Sequence, residues 1–295
     1  MKKYIWSLPV LLLSAVLCSC LLANETAEAH EAKSWENAPA GAISSEMIAG
    51  WNARGSYKPF YEAALKNPRA GGVFYALRIV AGCSHVMKEA GSGWQGFPPL
   101  RNPDPDHRAM SEAAAELEAK CSEFTPEELS PAHAEAIRNS ETGKLDPLLT
   151  VMKALEDKTC LRDAECRKKM VREMIKLRDP LLIMSKIGFA GYIDPETRQM
   201  VFIEFAGKRY VEGSGMNAAF ALEMLPCGLG LRCDKHEFET ALKCASQGWC
   251  FESRIEALQQ AISGGVSEAD LRGTMELYRQ MVEAVKNGDE TKFMN

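Results

Sequence analysis

The chain of 295 residues lacks most of the features that give a function away. No apolar run is long enough to cross a bilayer. The longest, Ile5 to Leu17, has about 13 residues where a spanning helix needs roughly 20, and Ser7, Pro9 and Ser14 interrupt it. A short run of this kind behind Lys2 and Lys3 is instead the pattern of a cleavable export signal. An excess of positive charge is also missing. Lys and Arg number 35 against 40 Asp and Glu, a net charge of −5, and removing Lys2 and Lys3 leaves 33 against 40, or −7. This balance argues against nucleic acid and against polybasic docking to anionic lipid. There is no C-x2-C pair, so the usual zinc knuckle and the thioredoxin-type redox motif are both excluded. G-x-S-x-G is absent too, and Gly213-Ser214-Gly215 reads as a turn before a helix. Gly41, Gly71-Gly72 and Gly264-Gly265 form no phosphate-binding loop. His236-Glu237 lacks a second His four residues on, where Thr240 stands, and reads as the solvated first turn of a helix. His85 reads as a structural histidine on a helix.

What the chain does have is cysteine, ten in all. Leu17-Cys18-Ser19-Cys20 resembles the lipobox of bacterial lipoproteins, with Leu at −3, Ser at −1 and Cys20 at +1. The resemblance implies a diacylglyceryl thioether on Cys20, with palmitate-type acyl chains, and cleavage just before it. Leu21 at +2 is not Asp. By resemblance to the sorting rule of enteric bacteria, this implies the periplasmic face of the outer membrane. Cleavage near Leu22-Ala23 or at Ala27-Glu28-Ala29 is the alternative and would release a secreted chain. On this reading residues 1–19 are a signal peptide. Residues 20–44, rich in Ala, Glu, Asn and Ser, are a flexible tether reaching roughly 25–30 Å as a coil. Residues 45–295 are a helical domain, with a sub-boundary near 188–199. The mature body is expected to be soluble.

The body reads as mostly helical. Helices are expected over about 45–53, 61–66, 72–89, 107–124, 125–139, 146–155, 164–177, 180–187, 216–226, 235–245, 252–262 and 268–286. Thr125-Pro126 with Glu128 marks one start, Asp234 with Glu237 another, and Ser267 caps the last helix. Val73, Leu77, Val80, Cys83 and Met87 form one apolar stripe. Met110, Ala114, Leu117, Cys121 and Phe124 form a second, and Leu271, Met275, Tyr278, Met281 and Val285 a third. Met200–Phe205 and Lys208–Val211 flank Ala206-Gly207 as a minor β-hairpin. The fold class is all-α in the main, with antiparallel helical hairpins in a bundle or short stack. No repeat of clean period is evident.

Setting Cys18 and Cys20 aside leaves eight cysteines, an even number that in an exported protein reads as disulfides. Cys83 and Cys121 sit on the facing stripes of consecutive helices and are expected to pair. Cys160/Cys166, Cys227/Cys233 and Cys244/Cys250 share the spacing C-x5-C. On an unbroken helix such residues lie about 9 Å apart along the axis and about 120° apart in rotation. A disulfide needs Cα atoms within about 7 Å, so each local bridge requires the helix to end between its cysteines. Gly228 and Gly230, Gly248, and Asp163 as an N-cap supply those breaks. Cross-pairing among the last four cysteines is the rival. Zinc held by these cysteines and His236 is a further alternative, disfavoured by an oxidising compartment.

Two recognition elements stand out. The long loop Gly91–Asp106 carries Trp94 and Phe97, and the hairpin carries Arg209 and Tyr210. The segments Glu223–Cys233 (E-M-L-P-C-G-L-G-L-R-C) and Ala241–Cys250 (A-L-K-C-A-S-Q-G-W-C) resemble the C-terminal signature of uncharacterised exported, cysteine-rich helical proteins of Gram-negative bacteria. Phe74–Cys83 is similar to their first cysteine-bearing helix. The resemblance implies helices and disulfides and carries no activity. No catalytic residue, metal or cofactor is assigned. The leading expectation is a lipid-anchored, non-enzymatic binding or assembly module with a protein partner in the envelope. One alternative is an envelope hydrolase with its site near Asp104–His107 or beside the 200–211 hairpin. Another is a freely secreted effector or inhibitor.

Overall fold

Several of the described helix starts are set by side-chain oxygens. Asp106, Ser130, Ser140, Asp146, Asp163 and Glu237 each accept backbone amides at the first turn of the helix that follows. The computed structural model describes residues 45–94, 102–157, 159–160, 163–186, 191–193, 200–211, 218–263 and 268–293. The export signal, Cys20, the tether, Phe97, Gly213–Gly215 and Ser267 lie outside them.

The described helices are α1 (Ser45–Asn52), α2 (Lys58–Leu65), α3 (Gly72–Gly91), α4 (His107–Cys121), α5 (Pro131–Asn139), α6 (Glu141–Lys144), α7 (Pro147–Glu156), α8 (Ala164–Leu177) and α9 (Pro180–Lys186). A sheet of β1 (Gly191–Ile193), β2 (Met200–Phe205) and β3 (Lys208–Val211) follows. The chain ends with α10 (Ala218–Gly228), α11 (Phe238–Gln247), α12 (Arg254–Ser263) and α13 (Glu268–Asn287). The protein is therefore mostly helical with one small antiparallel sheet. Successive helices pack as neighbours: α2 on α3, α3 on α4, α7 on α8, α9 on α10 and α12 on α13. Two long-range contacts close the body, α11 against α4 and α13 against α10. All the described residues fall in one unit, 39–295. None of the described helices is long and apolar enough to cross a membrane.

Aromatic side chains fill the centre. Trp51 stacks on Tyr57 at 5.4 Å and meets Tyr75 at 6.2 Å and Phe238 at 6.0 Å, edge-on or tilted. Such pairs add about 0.5–1.5 kcal/mol each beyond simple burial. α3 runs through this core. Its first turn, Gly72 to Ala76, is buried on every side, which leaves no room for a single stripe. The buried side further along is Ile79, Val80, Cys83 and Val86, while Leu77 is half-buried and Met87 is 43% exposed. The stripe through Leu77 and Met87 is thus corrected by about one residue of rotation. In α13 the core side is Thr274, Leu277, Met281, Ala284 and Val285, and Leu271, Met275 and Tyr278 are half-buried at its edge. His85 is exposed and is not a core histidine.

Two helix starts also differ from the sequence reading. Thr125 and Glu128 do form the reciprocal capping box, with Thr125 N to Glu128 Oε2 at 3.0 Å and Glu128 N to Thr125 Oγ1 at 3.3 Å. Only a turn follows. Pro131 has no N–H and forces its predecessor out of the helical region, so the helix begins afresh with Ser130 as cap. The second case is Asp234. Residues 233–235 pair with 252–254 through Lys235 N to Glu252 O at 2.9 Å and Arg254 N to Cys233 O at 2.8 Å. That pairing holds the backbone extended. α11 therefore starts at Phe238, capped by the carboxylate of Glu237.

The hairpin forms as expected, with Glu204 opposite Arg209 and Phe205 opposite Lys208. Ala206 (φ 51°) and Gly207 (φ 74°) make the two-residue turn with both φ values positive that suits the twist of the strands. Ala206 N donates to Lys292 O at 2.7 Å, and Phe205 meets Phe293 at 5.1 Å, which fastens the turn to the C-terminus. β1 pairs antiparallel with β2 through an irregular register, a third strand that falls where the sequence reading placed only a sub-boundary, near 188–199.

Candidate functional site

Four disulfides brace the body: Cys83–Cys121, Cys160–Cys166, Cys227–Cys233 and Cys244–Cys250, with Cα separations of 5.2, 5.2, 5.6 and 4.3 Å. Each local pair spans a helix end. α10 stops at Gly228 before Cys233, and α11 stops at Gly248, whose φ of 75° closes the helix. Asp163 accepts Glu165 N at 2.9 Å and Cys166 N at 3.2 Å, so α8 begins between Cys160 and Cys166.

The long loop is fastened at both ends. Trp94, half-buried with φ 56°, donates its indole N–H to Glu118 Oε1 at 2.7 Å. Asn102 N donates to Gln247 O at 2.8 Å and its side-chain amide to Gly248 O at 3.1 Å. The described part of the loop is therefore strapped to α4 and to the end of α11. Asp104, Asp106 and His107 are exposed and do not form a set of metal ligands. Asp106 accepts Arg108 N and Ala109 N, both at 3.0 Å, and these amides hold its carboxyl below the usual range. Its task is a helix cap. On the hairpin, the guanidinium of Arg209 bonds Glu204 Oε1 at 2.7 Å and lies 4.0 Å from the Phe202 ring centre. Tyr210 is half-buried, and burial raises its phenol pKa.

The most organised polar cluster lies elsewhere, between α4 and the segment that leads into α11. His236 Nδ1 and Glu116 Oε2 are 2.6 Å apart, and each side chain is 28% exposed. One turn along α4, Lys120 is buried; its ammonium donates to Ala53 O at 3.1 Å and lies 4.8 Å from the Tyr57 ring centre. Burial lowers its pKa. Arg232 bonds Asp234 Oδ2 at 2.8 Å and Asn52 O at 3.1 Å, and Asp234 Oδ1 accepts His236 N at 2.9 Å. Glu237 is buried against Arg254 at 2.8 Å, so His236-Glu237 is not a solvated helix turn. The Tyr57 phenol is pushed well up, first by burial and then by Glu237.

An imidazole oriented by a carboxylate has the geometry of a general base. Among the described residues, however, no hydroxyl or thiol is hydrogen-bonded to the His236 ring, and the cysteines around it are in disulfides. No three His, Cys, Asp or Glu side chains among the described residues converge as metal ligands. The sequence contained one signal of this cluster, Glu116 and Lys120 at i and i+4 on α4. Only the tertiary fold brings His236 to them. Comparison with protein-family models, with curated proteins and with solved structures finds no match.

Proposed function

We propose that this is an exported protein, anchored to the envelope by a lipid on Cys20, that acts as a non-enzymatic binding or assembly module. The four disulfides carry the export part of the reading, because such bonds persist in oxidising compartments and are rare in the cytosol. The non-enzymatic part draws support from how the perturbed ionisable groups are employed. Asp146 and Asp179 cap helices, Lys120 satisfies a backbone carbonyl, and Tyr57 donates to Trp51 O. Active sites instead leave such groups facing a cleft. A rigid scaffold with the strapped Trp94 loop and the Arg209 hairpin at its surface suits recognition of a protein partner in the envelope.

The pairing of His236 with Glu116 favours a second reading, a hydrolase centred there and not at Asp104–His107. Mass spectrometry of the mature protein, reduced and unreduced, tests the main reading. It predicts an N-terminal Cys20 bearing a diacylglyceryl group, whose processing globomycin blocks, and eight cysteines that resist alkylation until reduced. An unacylated N-terminus beyond Cys20 would instead indicate a secreted effector or inhibitor.

A further inference from the structure

The chain's net charge conceals a local reversal on α8. Of its fourteen residues, Ala164 to Leu177, five are Lys or Arg and two are Glu. The helix therefore carries +3 in a chain of −5, with Asp163 and Asp179 at its two ends, so the bulk balance that argues against polybasic docking to anionic lipid does not describe this helix. The helix is two-sided. Val171, Met174 and Ile175 are buried against the core, and Lys169, Arg172 and Lys176, at i, i+3 and i+7, stand exposed on the other side. Two of the basic residues are partly offset within the helix, Lys168 by Glu165 at 3.5 Å and Lys176 by Glu173 at 3.1 Å. Lys169 and Arg172 form no ion pair among the described residues. On the neighbouring elements, Glu156 of α7 is engaged by Arg138, and Asp289 by Lys292.

We infer that the exposed side of α8 is a docking surface for the anionic headgroups of a phospholipid bilayer. The apolar side of α8 is already taken by the core, so the contact is electrostatic and superficial, without insertion. Clustered Lys and Arg close to a bilayer are attracted by anionic headgroups over about a Debye length, and the acidic remainder of the body is repelled. The chain thereby presents one side to the membrane and turns the others away. Bilayer is preferred over an acidic protein because the inference rests on the anchoring reading above, which keeps the body beside a membrane at all times.

The test uses the full mature protein with two kinds of vesicle, phosphatidylcholine alone and an equimolar mixture with phosphatidylglycerol. Flotation reports attachment, and amine labelling read by mass spectrometry reports which lysines are covered. On the mixed vesicles at low salt, Lys169 and Lys176 should be protected while the exposed Lys144 and Lys235 label as before. High salt should abolish the protection. The variant K169E/R172E/K176E should lose that protection, and for unacylated protein its flotation with mixed vesicles should fall by about tenfold or more. Equal labelling of Lys169 and Lys176 on the two vesicle types would overturn the inference even if the protein floats. So would protection by soluble polyglutamate but not by vesicles, which would point to an acidic protein partner. Failure of the anchoring reading looks different: flotation with mixed vesicles but not with phosphatidylcholine, and α8 still protected.

Discussion

Asp146 and Asp179 converge on consecutive residues of one helix. Each opens a copy of the same tetrapeptide, Asp-Pro-Leu-Leu, at 146–149 and 179–182. Both carboxylates are buried, and each caps its own helix, through Leu149 N at 2.9 Å and Leu182 N at 2.8 Å. Their other oxygens reach the start of α3, where Asp146 accepts Phe74 N and Asp179 accepts the Tyr75 hydroxyl, both at 2.8 Å. Among the described residues neither has a cationic partner. α7 and α9 are thus tied to α3 by equivalent acids.

This arrangement makes stability depend on pH. Burial raises each carboxyl from 3.8 to about 6, against the pull of its amide donors. Asp146 adds to the effect on Asp179. The folded state keeps protons that the unfolded chain releases, so stability falls as pH rises from about 4 to about 6 and is level above that. Asp179→Asn removes one charge and keeps one acceptor oxygen for Leu182 N, and its amide NH2 takes the place of the oxygen at Tyr75, whose hydroxyl can turn to accept from it. Urea denaturation should show it more stable than the parent at about pH 7.5, by about 2 kcal/mol, with little difference at about pH 4. A parent whose stability is flat over that interval would contradict the burial argument.

The four disulfides should contribute unequally. Cys83–Cys121 closes a separation of 38 residues, and each of the others closes 6. On the loop-entropy model, removing the first as a Cys→Ala pair lowers stability by about 4 kcal/mol, and removing a local bridge by about 2 kcal/mol. Equilibrium denaturation of the oxidised double variants measures the ranking; equal losses would exclude the entropic account.

Gly72 is needed for its lack of a side chain. A Cβ there would meet Ala64 O at 1.9 Å and Asn67 O at 2.8 Å, backbone atoms of the last turn of α2 and of the turn just after it. Gly72→Ala must push α2 off α3 and should cost about 3 kcal/mol or more. Thermal unfolding provides the measurement, with Gly91→Ala, where the added Cβ meets nothing within 4 Å, as the tolerant control.

Lys120→Met keeps the stem against Tyr57 and deletes the donor to Ala53 O. A loss of about 1–2 kcal/mol is expected, because a partly buried carbonyl and Glu116 lose a partner. His236→Gln separates the two functional readings. If the pair with Glu116 is structural, stability falls and binding of an envelope partner persists; if it is catalytic, hydrolysis disappears at unchanged stability.

Most helices were legible because their starts carry local chemistry. Asp146-Pro147, Asp163 and Pro180 place α7, α8 and α9 within a residue or two, and Ala206-Gly207 marks the hairpin turn. The misreadings arose where tertiary pairing or proline overrode a local signal. Asp234 looks like a cap, yet the pairing of 233–235 with 252–254 delays the helix to Phe238. Thr125 caps a turn that Pro131 cannot prolong. β1 has three residues, too few for alternation to show. The twin Asp-Pro-Leu-Leu segments are plain in the sequence, but a repeat of four residues implies no period and no shared docking point. The meeting of Glu116 with His236 spans 120 positions and has no local trace.

Six of the eight body cysteines have their partner six residues away. Short loops close far more often than long ones, on a timescale of tens of nanoseconds for about ten residues. A thiol arriving in an oxidising space therefore meets its correct mate before any other. Three of the four links need only an electron acceptor, and a shuffling catalyst is left at most one choice to correct, the joining of Cys83 to Cys121.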